Sequence, residues 1–147
     1  MSTILTMGSF DLMHTGHVEL FETCRRIVGR KGKVVVSVNT SEFIASFKPA
    51  PPVQTTEERV RVVGAVRYVD EVVTLDSHDS KPLIEQVCPD FIIIGSDWAL
   101  PRDDGSTYLD QLQVTAPWLR ERRIALLFQF REGLYSTTEL KERVRGH

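Results

Sequence analysis

Two histidines stand three residues apart near the start of the chain, in residues 8–17 (GSFDLMHTGH). A short apolar run precedes this stretch and a segment with helical periodicity follows it, so His14 and His17 are expected on one face at a helix start. Gly8 and Gly16 carry no side chain, which lets a ligand approach closely. Two imidazoles beside the N–H groups and partial positive charge of a helix N-terminus predict a triphosphate site.

Each part of this stretch also has an ordinary structural explanation. A single histidine at a helix start is more often a cap or a surface residue, and a strand–glycine–helix junction is common in α/β proteins. A pair of histidines also suggests a metal site, but no third ligand stands at a suitable spacing. The combination therefore favours phosphate binding, without a metal ion held by protein ligands.

The elements that must position these residues are visible as five short apolar runs separated by helical segments. The runs are rich in Val, Ile, Leu and Phe and do not alternate, as is typical of strands covered on both faces of a parallel sheet. The predicted strands are residues 3–7, 33–38, 70–75, 90–94 and 124–128. This order predicts an α/β fold, a single Rossmann-like domain over residues 1–147 with a five-stranded, mainly parallel sheet flanked by helices.

The spacing of apolar residues predicts the helices between these strands. The predicted helices cover residues 18–28, 56–66 and 83–87, a stretch between 108 and 120, and a last helix from Ser136. Ser136 followed by Glu139 is a capping box. In open parallel sheets ligands bind at the carboxyl ends of the strands, so residues that follow strands are candidates for the site.

The composition excludes several classes of function. The 147 residues carry a net charge of −2, with 41% hydrophobic and 26% charged residues. The chain lacks the excess of basic residues that would suggest a nucleic-acid surface. No apolar run approaches the length of a membrane span. Cys24 and Cys88 do not form a disulfide framework. We therefore expect a cytoplasmic protein that binds small molecules, not nucleic acid or membrane.

Three stretches together resemble a known family. Residues 8–17 resemble the signature of the HxGH nucleotidyltransferases, the cytidylyltransferase-like superfamily. Residues 67–72 (RYVDEV) and 131–138 (REGLYSTT) are similar to the second and last motifs of cytidylyltransferases, in the family's order. The nearest branch is that of the bacterial glycerol-3-phosphate cytidylyltransferases. The resemblance implies attack of a substrate phosphate on the α-phosphorus of CTP, with Mg²⁺ on the triphosphate, and a homodimer.

The resemblance also implies the site residues. The phosphate-holding, catalytic residues are His14, His17, Lys48 and Arg131. The nucleotide site comprises Gly8, Ser9, Phe10, Asp11, Gly16, Arg67, Gly95, Tyr135, Ser136, Thr137 and Thr138. The acceptor residues are Lys81, Asp97 and Trp98.

Several of these residues have structural alternatives. Lys48 and Lys81 also fit solvated surface lysines, Arg67 a favourable helix end and Trp98 core packing. Relatives often carry two lysines where only Lys48 is present here, and the nearby Arg59 is a candidate for the missing charge.

One segment departs from the nearest branch. Residues 99–118 are longer than in its members and lie beside the expected acceptor site. The resemblance makes glycerol 3-phosphate the first choice of acceptor, and this departure leaves another polyol phosphate, a sugar phosphate or phosphoethanolamine open. Two other functions stay open: an adenylyltransferase acting on a sugar phosphate or FMN, which RYVDEV disfavours, and a catalytically silent nucleotide-binding protein, which the histidine pair disfavours. A dinucleotide-binding oxidoreductase lacks support because no GxGxxG follows a strand.

Overall fold

The five predicted strands form one sheet, and each strand end lies within one residue of its predicted position. The computed structural model describes residues 1–96, 99–130 and 137–146 (of Thr137, the backbone alone). The strands are β1 (Thr3–Gly8), β2 (Lys33–Asn39), β3 (Glu71–Leu75), β4 (Phe91–Gly95) and β5 (Ala125–Gln129). They pair in the order β3-β2-β1-β4-β5, and every pair is parallel. The predicted α/β fold class is confirmed.

Seven helices are present in the described part of the chain. They are α1 (Thr15–Val28), α2 (Ser41–Ala45), α3 (Thr56–Gly64), α4 (Lys81–Val87), α5 (Tyr108–Leu112), α6 (Ala116–Glu121) and α7 (Thr137–Arg145). None of them is long and apolar enough to cross a membrane.

Two helical features differ from the sequence prediction. Helix α2 was not predicted; it is one turn long and begins where the hydroxyl of Thr40 accepts a hydrogen bond from the backbone N–H of Phe43. The helix predicted between residues 108 and 120 is two helices, because Gln113 adopts a left-handed conformation (φ 56°) that ends α5. Thr115 then caps α6 by accepting from the N–H of Trp118.

The sheet is covered on both faces, which explains why its strands do not alternate. Alternate residues of β1 point to opposite sides: Leu5 packs in the cluster under α4, α5 and α6, and Ile4 in the cluster under α1 and α3. Both residues are fully buried.

The strand order determines where a ligand can bind. The chain leaves β1 toward β2 on one side, whereas β4 pairs with the other side of β1. A crevice therefore opens outside the carboxyl ends of these strands, where Gly8, Asn39 and Gly95 lie.

Candidate active site

The turn between β1 and α1 brings backbone and aromatic groups close together. Phe10 (φ 52°) and Leu12 (φ 47°) both adopt the left-handed conformation that non-glycine residues avoid. The Phe10 ring lies so close to Gly8 that a Cβ atom there would approach it to 3.2 Å. A side chain at position 8 would therefore require the Phe10 ring to shift by a few tenths of an ångström.

The two histidines are held by hydrogen bonds at the start of α1. The Nδ1 atom of His14 accepts from the N–H of Gly16 at 3.1 Å, and the Nδ1 atom of His17 accepts from the N–H of His14 at 3.2 Å. The two rings stack with their centroids 3.9 Å apart. Because each Nδ1 accepts a hydrogen bond, each ring in its neutral form carries its proton on Nε2. The pair thus supplies two N–H donors.

These histidines line a cleft of about 460 Å³ at the carboxyl edge of the sheet, here called the first cleft. Its walls are the β1–α1 turn, the proline-rich residues 48–52, the end of β4 and one side of α7. The predicted residues that line it are Gly8, Ser9, Phe10, Asp11, His14, His17, Lys48, Gly95 and Thr138. The structure therefore brings residues from distant parts of the sequence to one place.

Asp11 fixes the proline-rich wall of this cleft. Its buried carboxylate accepts hydrogen bonds from the backbone N–H groups of Val53 (2.8 Å) and Gln54 (3.0 Å). Leu12 adds a bond from its N–H to the Gln54 side chain at 2.9 Å. These contacts give Asp11 a positioning role toward the loop.

Lys141 is a cation of the first cleft that the sequence analysis missed. Its Nζ atom lies 3.8 Å from a carboxylate oxygen of Asp11, and its side chain lines the cleft together with Thr138. A signal was present, because residues three apart on a helix share a face, and Lys141 stands three residues after Thr138.

Arg59 is a buried connector and, contrary to expectation, is not among the residues that line either cleft, where it could contact phosphates. It is fully buried, and its guanidinium donates to the carbonyl oxygens of Ser9 (2.9 Å), Asn39 (2.6 Å) and Gln54 (3.2 Å). It also donates to the hydroxyl of Ser41 at 3.0 Å. These bonds tie the ends of β1 and β2 to the loop before α3.

Burial lowers the pKa of Arg59, and the nearby carboxylate of Asp11 opposes that shift. An arginine keeps its proton in a protein, so Arg59 places a fixed positive charge behind the cleft.

A second cleft, of about 550 Å³, adjoins the first. The two share the residues Met7, Gly8, Ser9, Lys48 and Ile94. The far wall of the second cleft comes from residues 102–112, within the segment that departs from the nearest branch. Lys48 is thus a cation that borders both clefts.

Arg67 lies away from both clefts. It is exposed in the connection before β3, where its guanidinium donates to the Tyr68 hydroxyl at 3.1 Å. The five-residue strand β3, roughly 16 Å long, then separates Arg67 from the cleft edge of the sheet. The structure therefore does not bring Arg67 to the nucleotide cleft of its own chain, contrary to expectation.

Other predicted residues lie elsewhere. Gly16 is buried inside α1, and its contribution is the N–H bond to His14. Lys81 begins α4 and is not among the residues that line either cleft. The predicted residues Asp97, Trp98, Arg131, Tyr135, Ser136 and the side chain of Thr137 lie outside the described residues.

Within the described ranges, no group of three His, Cys, Asp or Glu residues is arranged to hold a metal ion. Asp11, the buried carboxylate of the first cleft, is bonded to backbone N–H groups and faces a lysine. It is therefore poorly suited to ligate a cation.

The sequence matches one family profile, described as cytidylyltransferase-like, over residues 5–143. The chain is 34% identical over 107 residues to the bifunctional protein HldE of Alcanivorax borkumensis, covering 72% of this chain and 22% of that protein. It is 36% identical over 94 residues to the FAD synthase of Methanopyrus kandleri, covering 64% of this chain and 62% of that protein. The chain thus spans less than a quarter of the length of the HldE relative.

A solved structure shares the fold. The lipopolysaccharide core biosynthesis protein from Thermoplasma volcanium superimposes with a TM-score of 0.65 at 19% identity, covering 92% of this chain and 99% of that one.

Proposed function

The chain belongs to the cytidylyltransferase-like family of nucleotidyltransferases, and from this we propose that it transfers a nucleoside monophosphate from a triphosphate to a small phosphorylated acceptor. The observation that carries the proposal is the histidine pair in the first cleft. Its two Nε2–H groups, together with Lys48 and Lys141, make a wall suited to the oxygens of a triphosphate.

The proposed reaction needs little from a base. A phosphate monoester is ionised near neutral pH, so one of its oxygens attacks the α-phosphorus directly. The bond from the α-phosphorus to the bridging oxygen breaks, and pyrophosphate leaves with the electron pair. The protein must position both substrates and neutralise the developing charge, which histidine N–H groups and lysines do.

Magnesium fits this site as a companion of the triphosphate. The described residues offer donors and cations for phosphate oxygens and no carboxylate cluster for a metal, so Mg²⁺ would be held mainly by the nucleotide. When bound, it supplies charge neutralisation on the phosphates.

We propose ATP as the first nucleotide to test, ahead of CTP. The relative named FAD synthase makes a product that contains an adenylyl group, and it covers 64% of this chain. The case for CTP depends on the RYVDEV motif, whose Arg67 lies away from the first cleft. CTP remains the second candidate because the motif itself resembles that of cytidylyltransferases. FMN joins glycerol 3-phosphate and sugar phosphates among the acceptors to test.

The test is pyrophosphate release with ATP and CTP in parallel, each with Mg²⁺ and a panel of phosphorylated acceptors. We expect ATP to support turnover at least tenfold faster than CTP. A clear preference for CTP would return the assignment to cytidylyl transfer, and no release with either nucleotide would favour a silent binding protein.

The family resemblance also implies a homodimer. Sedimentation velocity on the purified chain would test it, and a single species at 16.7 kDa would contradict it.

A further inference from the structure

The second cleft is placed to receive the acceptor. It meets the first cleft along a shared wall that includes Gly8, Ser9 and Lys48. A molecule whose phosphate lies beside Lys48 would be next to the triphosphate, and the rest of that molecule would extend into the second cleft. The residues of the far wall then contact the part of the acceptor that does not react.

Residues 102–106, the first part of the far wall, form a hydrogen-bonded turn. The N–H of Arg102 donates to the carbonyl of Ser106, and the N–H of Gly105 donates to the carbonyl of Arg102, both at 2.8 Å. Gly105 has a φ of 83°, which glycine adopts at little cost. Asp104 accepts from the N–H (2.9 Å) and the hydroxyl (2.6 Å) of Ser106. The shape of the turn is therefore set by its own hydrogen bonds.

The charges of the second cleft suit an anion. Among the described residues that line it, Lys48 and Arg102 are cations and Asp104 is the carboxylate. Hydrogen bonds from Ser106 lower the pKa of Asp104, so it is ionised at neutral pH. Two positive charges against one negative charge make the described lining of the second cleft net positive.

The polar groups of this cleft suit hydroxyls. A hydroxyl both donates and accepts, so it can pair with a guanidinium, a carboxylate or an amide. Besides Arg102 and Asp104, the cleft is lined by the amides of Asn39 and Gln111. The Asn39 Oδ1 atom is buried without a hydrogen-bond partner among the described residues, so its amide gains a bond on turning toward a ligand hydroxyl.

The aromatic rings offer less to a ligand. Phe43 and Tyr108 also line the second cleft, but they are only 5% and 4% exposed because they pack in the core. Phe47 is the exposed ring of the described lining residues, and it packs against Phe43. Among the described lining residues, a flavin ring would therefore have to stack on Phe47.

We propose that the second cleft binds a phosphorylated polyhydroxyl acceptor, a sugar phosphate or polyol phosphate, and that Arg102 determines this specificity by binding the hydroxyl-bearing end. The proposal rests on the proposed function, because it assumes that the first cleft holds the nucleotide.

The test is steady-state kinetics with ATP, Mg²⁺ and four acceptors: glucose 1-phosphate, ribose 5-phosphate, glycerol 3-phosphate and FMN. We expect a sugar or polyol phosphate to be preferred over FMN. Arg102→Gln should raise the KM for that acceptor at least tenfold and leave the KM for ATP unchanged, and Arg102→Lys should restore part of the loss. Arg120→Gln, on the exposed side of α6, is the matched control and should change neither constant.

Acceptor binding without turnover separates this inference from the proposed function. Saturation-transfer NMR of the same compounds on the wild type and Arg102→Gln needs no reaction. Arg102-dependent binding of a sugar phosphate without pyrophosphate release would overturn the proposed function and keep the acceptor site. Exclusive use of FMN, binding of none of the compounds, or sugar-phosphate binding that is unaffected by Arg102→Gln would overturn the acceptor site.

Discussion

The three-residue spacing of His14 and His17 has two structural consequences. The two residues at 14 and 17 form both halves of a capping box, and the same bonds fix their tautomers. The sequence indicated that they share a face at a helix start. It did not indicate that both Nδ1 atoms accept hydrogen bonds from backbone N–H groups, because that depends on the extended conformation of His14.

Substitution of His14 should separate capping from phosphate binding. His14→Asn keeps a side chain that caps helices well but removes the Nε2–H donor, so the protein should stay folded. Its kcat should fall by about 10²–10³, the usual loss for one donor to developing charge. Thermal unfolding and pyrophosphate release on the same sample check this. A variant that retained full kcat would exclude His14 from the chemistry.

A second prediction at the scale of single residues concerns Lys141. Lys141→Met should raise the KM for the nucleotide roughly tenfold or more, because a charge-assisted bond to a phosphate oxygen is worth about 1.5–3 kcal/mol. Lys31→Met, an exposed lysine in the turn between α1 and β2, is the matched control. Equal KM values for the two variants would mean that Lys141 only pairs with Asp11.

At the scale of elements, the strands were predictable and their connections were less so. Long apolar runs such as 33–38 can satisfy their backbone only inside a covered sheet, so strand type and position followed from composition. Helix α2 has five residues, too few for a periodic pattern, and the break at Gln113 depends on a left-handed conformation that glutamine does not signal.

The connecting role of Arg59 was not predicted for a related reason. A charged residue on a helix reads as solvent-exposed, and only the tertiary fold shows that carbonyl groups from two strand ends surround it. The site residues outside the described ranges stay predictions.

Removal of Arg59 should unfold the connection between these elements. Arg59→Met leaves the carbonyl groups of Ser9 and Asn39 without their donor, so the free energy of unfolding should fall by about 3 kcal/mol. Arg61→Met, on the exposed side of the same helix, should change it by less than about 0.5 kcal/mol. Urea denaturation of both variants measures the difference, and similar values would show that Arg59 is not a connector.

Asp70 should make the stability of the sheet depend on pH. Desolvation alone would raise its pKa, but hydrogen bonds from the Val34 N–H and the Arg25 guanidinium outweigh it and lower the pKa. A carboxyl with a lowered folded-state pKa stabilises above its unfolded pKa and loses that contribution as the pH falls through the folded value.

The stability difference between the wild type and Asp70→Asn should therefore be about 1 kcal/mol above about pH 5 and shrink toward pH 3. Denaturation across this range measures it, with the exposed Asp103→Asn as control. A difference that is constant with pH would remove Asp70 from the acid response.

At the scale of the whole molecule, the strand order explains why two clefts meet. The sheet reverses its direction of winding between β1 and β4, so the space outside these strands opens on both faces. The first cleft lies toward α1 and the second toward α5, with the end of β1 and Lys48 between them. Two adjoining compartments that share a wall would suit the proposed transfer between two phosphorylated molecules.

Calorimetric titration of a non-hydrolysable ATP analogue with Mg²⁺ tests the central claim most directly. The double variant His14→Asn and His17→Gln keeps residues that form a capping box and removes both imidazole donors. We predict that the wild type binds the analogue at one site per chain and that the variant, still folded, binds it at least tenfold more weakly. Equal affinity for the two proteins would contradict the assignment of the histidine pair to the triphosphate.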